Sequence, residues 1–172
     1  MRCRVRALAI LVLGIAFVPN CAIAITPEQA AEGALRAQLK ATVAPEGYRS
    51  GVLPPELSEA WRFRVANDLV AWYSESLMRA HLGGTENVTA SLMELPGPIV
   101  TSVDVLRLHM PAASIDGDSA RIGEAAIEYR THFAPGSWNE LVVEGTTMCR
   151  FDLQRIDARW LIVDEACNVS GG

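Results

Sequence analysis

The stretch VVEGTTMCRFDLQRIDARWLIVDEAC, Val142 to Cys167, reads as a β-hairpin with strands Val142 to Ile156 and Trp160 to Cys167. Apolar residues recur at every second position, with Val143, Cys149, Phe151 and Leu153 in the first strand and Leu161, Val163 and Cys167 in the second. Residues opposite one another in an antiparallel pair share a side of the sheet, so the two odd-numbered sets must face each other. Pairing Leu153 with Val163 and Cys149 with Cys167 meets that condition. The second pair predicts a disulfide.

The alternation continues upstream. Ser102 to Met110 and Ala120 to Phe133 flank Asp116-Gly117, a dipeptide that tolerates the positive φ of a two-residue hairpin turn. With those two residues as the turn, Leu108 falls opposite Ala125, Leu106 opposite Ile127 and Asp104 opposite Tyr129. Both strands then keep their apolar residues on one face, and Pro111, which has no N–H, is the expected place for a bulge. After the turn at Ala134-Pro135-Gly136-Ser137 the third strand begins. The result is a four-strand antiparallel meander with one apolar face.

The first half of the chain has a helical period. Thr26-Pro27-Glu28-Gln29 combines a capping residue, a proline at the first helical position and a glutamine placed to bond back to the cap, opening a helix from Pro27 to about Val43. Prolines and glycines between Ala44 and Pro55 break it. From Glu56, the spacing of Trp61, Val65, Leu69, Trp72, Tyr73, Leu77 and Ala80 predicts one long helix ending near His81. Thr85 caps a shorter third helix through Glu94. The expected fold class is α+β, N-terminal helices packed on a curved four-strand antiparallel sheet, cone-like. Its segments are an export signal at 1–24, a helix and linker at 25–55, and the cone at 56–172.

The signal reading rests on Arg2, Arg4 and Arg6 before the apolar run Ala7 to Val18, with Ala22-Ile23-Ala24 as an A-x-A cleavage site. An apolar run of about a dozen residues is short of the roughly 20 needed to span a bilayer, so no stable membrane insertion is expected after cleavage. Cys21 raises a lipoprotein reading, which Pro19 and Asn20 oppose. Cleavage near Ala24 moves the formal charge from −5 to −8. That acidity, without a basic stripe, argues against nucleic acid as a partner. It also removes Cys3 and Cys21, leaving Cys149 and Cys167 to pair in a periplasmic or extracellular compartment. The sequons at Asn87 and Asn168 are matched by chance.

The order of elements, together with the ending RIDARWLIVD at Arg155 to Asp164, resembles the nuclear transport factor 2-like superfamily, which includes ketosteroid isomerases and polyketide cyclases. Those domains often close on a strand pair with a short Asp-containing turn followed by a tryptophan, as Asp157 and Trp160 stand here. The resemblance covers about Glu56 to Cys167 and implies a curved α+β cone. The family's enzymes usually carry a short strand between the second and third helices, for which Gly83 to Glu86 leaves no room. Exported members such as the periplasmic domains of type IV secretion assembly factors match the order better. The superfamily hosts isomerases, dehydratases and plain adaptors, so the fold does not choose a function.

Two classes of function follow. Asp104 and Tyr129 on the inner face would resemble the base and oxyanion donor of an isomerase, with Glu165, Thr131 and Thr147 nearby. Against that stand the absence of a motif and the place of Asp104 near a strand end. The other class is a non-catalytic binding module for a protein or a small apolar ligand, with Glu165, Trp138 and Trp72 as candidate contacts. A third expectation is a periplasmic scaffold subunit. Trp61, Trp72 and Tyr73 read most economically as core, whereas Trp138 follows a Pro-Gly turn. No cofactor is implied. The three histidines lack metal-ligand spacing, and His109 and His132 fall on a polar outer face with Arg107, Glu124, Glu128 and Arg130. No nucleophile elbow is present.

Overall fold

A computed structural model describes residues 24–48, 54–79, 99–136 and 142–171. Helix α1, Pro27–Ala41, starts with the expected capping box: Thr26 accepts from the Gln29 N–H, and the Gln29 side chain accepts from the Thr26 N–H. Helix α2, Pro55–Leu69, has proline at its first position. The strands are β1 Val100–His109, β2 Ser114–Asp116, β3 Ser119–Phe133, β4 Val142–Ile156 and β5 Arg159–Gly171. They form one antiparallel sheet in the order β1-β3-β4-β5, with β2 continuing the β1 arm against β3. The α+β architecture is as expected.

The core lies between the helices and one face of the sheet. Ala30, Ala31 and Ala34 of α1, Val65 of α2, and Ile122, Ala125, Ile127, Phe151 and Ile162 of the sheet are fully buried. Small alanines on α1 let the helix lie close to the strands, while Trp61 and Leu69 of α2 fill the flank. Phe151 has no exposed surface; truncating it to alanine would cost about 3–5 kcal/mol.

Three of the four register shifts among the described strands correct the expected register; the fourth, at Thr101, lies at the start of β1. In the β2–β3 hairpin Asp116 pairs with Ser119, so the turn is Gly117-Asp118 rather than Asp116-Gly117, with Gly117 at φ 58°. Leu108 consequently pairs with Ile127, not Ala125. Leu106 is then an extra residue in β1, and it flips the parity of the strand back to Ser102, so that Val105 faces Tyr129 and Asp104 faces Arg130. The bulge sits at Leu106 rather than at Pro111. Gly123 and Glu124 make a second bulge in β3, which passes burial from Ala120 and Ile122 to Ala125 and Ile127. The third, at Val163, pairs Leu153 with Ile162 in place of Val163. Cys149 still faces Cys167, on the other side of that bulge.

The long second helix is also shorter than its apolar period implied. It ends at Leu69, a turn follows, and Tyr73 forms a parallel bridge with Ile162 before a further helical turn at 75–79. The sheet edge competes successfully for this backbone: Ile162 N–H donates to the Trp72 carbonyl and Ser74 N–H to the Ile162 carbonyl, each at 2.8 Å. A strand-like residue therefore does follow the second helix, upstream of Gly83. The third helix expected at Thr85 to Glu94 lies outside the described residues, as does His81.

Candidate functional site

The Val163 bulge sets the site. It lets Glu165, opposite Phe151, and Ile162, opposite Leu153, share the inner face of β5. There the Gln38 amide of α1 donates to both Glu165 carboxylate oxygens at 2.9 Å, and the Tyr73 hydroxyl donates to Glu165 Oε2 at 3.1 Å. Gln38 Nε2 also lies 2.6 Å from the Tyr73 oxygen. Three segments far apart in sequence thus meet on one carboxylate. Tyr73 is only 2 % exposed. Burial, then the nearby Glu165 charge, pushes its phenol well above the ordinary tyrosine range. The phenol therefore stays protonated and acts as a donor. These hydrogen bonds tie α1 and the Tyr73 segment to β5.

Two rungs along β5 lies the disulfide, Cys149 to Cys167, with an S–S distance of 2.02 Å. Cys149 is buried and Cys167 exposed.

Trp72 precedes Tyr73 and points to the other side of α1. Its indole lies against Gly33 so closely that a Cβ there would stand 2.5 Å from the ring. Gly33 is thus a glycine for close approach, not for its backbone angles. The indole borders an open groove of about 500 Å³ with Ile25, Gln29, Glu32 and Arg36. Trp72 is half-buried, in keeping with a packing residue that retains an accessible edge.

Asp104 and Tyr129 are not brought together. The Leu106 bulge places Asp104 on the outer face, where its Oδ2 lies 2.8 Å from His132 Nε2, with 60 % of the Asp104 side chain exposed. Tyr129 stays on the inner face, packed against the core, with its ring over Gly145 directly opposite. Thr147 is buried on that face and Thr131 half-buried. Trp138 lies outside the described residues. The outer face is laced as expected for a solvated sheet: Arg107 with Glu128, Arg130 with Glu144 and Arg121 with Asp152. Exposed pairs of this kind contribute little individually. Among the described residues no three His, Cys, Asp or Glu side chains gather as metal ligands, and no helix is long and apolar enough to cross a membrane.

Neither Gln38 nor Tyr73 stands out as a site residue in the sequence: Gln38 is one polar position on an alanine-rich helix, and Tyr73 falls within an apolar period. Their meeting is tertiary, and no local signal marks it.

Comparison with protein-family models gives no match, and neither does comparison with characterised protein sequences. Solved structures do resemble the fold. The intermembrane-space region of the chloroplast protein ARC6 superposes with a TM-score of 0.55 at 15% identity, covering 86% of this chain and 97% of that one. A type 2 hexachlorocyclohexane dehydrochlorinase, LinA, superposes with a TM-score of 0.37 at 10% identity, covering 85% and 91%. At such identities the ARC6 likeness speaks to fold alone.

Proposed function

We propose that this chain is an exported, non-catalytic binding domain of the nuclear transport factor 2-like cone class, acting on a protein partner. The observation that carries this reading is the filled inner face. Between α1, α2 and the sheet, Trp61, Leu35 and Phe151 occupy the space in which a substrate or small apolar ligand would have to sit. The carboxylate on that face, Glu165, is held by Gln38 and Tyr73. The acid and phenol of the isomerase alternative lie on opposite faces of the sheet, too far from a common substrate for general-base and oxyanion roles. Export is supported by the arginine-led apolar N-terminus with its A-x-A site and by a disulfide joining the two cysteines that remain after cleavage.

Cross-linking in native envelope extracts tests the reading. A discrete adduct is expected with the wild-type chain and is retained by Asp104→Asn and Tyr129→Phe. Recovery of the monomer alone, or a chemical turnover that either substitution abolishes while the protein stays folded, overturns it.

A further inference from the structure

The two edges of the sheet differ. β1 carries a bulge at Leu106, charges at Asp104 and Arg107 and a proline at 111, and its start is covered where the Ala44 N–H donates to the Val100 carbonyl at 2.9 Å. Bulges, charges and prolines are what keep a sheet edge from accepting another strand. Past Val163, β5 has no proline, lysine or arginine and no further bulge; its two charges are Asp164 on the outer face and Glu165 on the inner face, the latter held by Gln38 and Tyr73. Its outer side already accepts backbone at Ile162, from Trp72 and Ser74.

The rungs at Cys167 and Val169 lie farther along this edge. The Cα atoms of Cys149 and Cys167 are 4.1 Å apart, the close spacing of a non-hydrogen-bonded antiparallel pair. The N–H and C=O of Cys167 therefore point away from β4, and by alternation so do those of Val169. No described residue bonds them. On the inner side of this edge the Val169 side chain is 71 % exposed. On the outer side Asp164 stands opposite Asp152, whose carboxylate is taken by Arg121 at 2.7 Å. Asp164 itself has no cation among the described residues. In the adjacent outer-face position Arg150, also without an ion pair among them, lies opposite Ala166, and a depression of about 260 Å³ lies among Arg121, Arg150, Asp152, Asp164 and Ala166.

We infer that β5 is the docking edge, to which a partner protein adds an extended segment antiparallel to residues 164–170. Its apolar residues lie on the side of Val169 and the disulfide. On the other side it carries a cation across from Asp164 and, two positions earlier in its own sequence, an anion across from Ala166 within reach of Arg150. Backbone bonds supply the affinity and the ordered charge pair the selectivity. This rests on the binding-domain reading and names its partner's chemistry.

The test uses two labelled octapeptides of identical composition, Thr-Val-Thr-Val-Glu-Thr-Lys-Val and the same peptide with Glu and Lys exchanged, read by fluorescence anisotropy against the mature chain. The first is expected to bind at least tenfold more tightly than the second, and the preference to invert on the double variant Asp164→Arg, Arg150→Glu. Val169→Pro removes an outward N–H without breaking the β4–β5 ladder, and is expected to weaken the first peptide at least tenfold while thiol titration still finds none free. Equal binding of the two peptides, no binding of either, or full binding to Val169→Pro overturns the docking edge. A chain that cross-links to partners yet ignores both peptides removes the docking edge alone. Turnover lost in Asp104→Asn or Tyr129→Phe removes the binding-domain reading instead.

Discussion

Gly33 and Trp72 show how one missing side chain places another. In an isolated helix, alanine in place of glycine would add about 1 kcal/mol. Here a Cβ would sit 2.5 Å from the indole, so Gly33→Ala must expel Trp72 from its place on α1. A net loss of about 1–2 kcal/mol is expected from thermal unfolding, with the tryptophan emission shifting to the red. In a Trp72→Leu background the same change should become stabilising; if it stays unfavourable there, the contact is not the cause. Tyr73 makes the second residue-scale case. Its folded pKa is raised, so above the ordinary tyrosine pKa of about 10 the unfolded chain releases a proton that the folded chain keeps, and stability falls as pH rises through that range. Tyr73→Phe should flatten this alkaline limb in denaturant titrations at pH 9 to 11. Glu28 has the opposite sign: the Ala113 N–H, donating at 2.8 Å, holds its carboxyl below the usual range, and that small contribution is lost as pH falls from about 4.5.

At the scale of elements the β4–β5 hairpin is the best-determined unit. Its two-residue turn places Asp157 at φ 50° and Ala158 at φ 62°, the paired left-handed geometry that matches strand twist. Aspartate tolerates that region and alanine does not, so Ala158→Gly should relieve strain and raise stability by about 0.5–1 kcal/mol in equilibrium unfolding. The disulfide spans 18 positions of the same hairpin. Replacing both cysteines by alanine should cost about 2–4 kcal/mol, a fall of roughly 5–15 °C in Tm. Two titratable thiols in the denatured wild-type protein would remove that expectation. The cysteine pair was legible in the sequence because strand parity and a short turn both constrain it. Asp104 was not, since a single extra residue at Leu106 reverses its face, and the only mark of that bulge is local, the adjacent Val105 and Leu106 at which the apolar positions change parity. The end of α2 was hidden for a related reason. Trp72 and Tyr73 keep the apolar spacing of the helix while their backbone turns to the sheet.

Across the whole molecule, the α+β order was readable because periods of three to four and of two separate cleanly near Pro98, and burying both apolar faces leaves one arrangement of layers. The polar cluster was not readable: Glu165 could be assigned to the inner face by parity, but its partners come from residues 127 and 92 positions away. The same long connections make α1 part of the cone's core, although proline and glycine separate it from α2. Its Ala30, Ala31, Ala34 and Leu35 are buried against the rest of the fold, Glu28 reaches Ala113, and Gln38 reaches Glu165. A chain starting at Pro54 would leave the inner faces of β3 and β5 without that cover and Glu165 without its amide donor. Exposed apolar surface on that scale is characteristic of a compact state without fixed packing. The truncated chain should therefore bind a hydrophobic dye, retain its far-ultraviolet dichroism and lose its near-ultraviolet signal, with the disulfide intact. A cooperative unfolding transition with native near-ultraviolet dichroism would instead show that the sheet and α2 hold their shape alone, leaving α1 as an appended element.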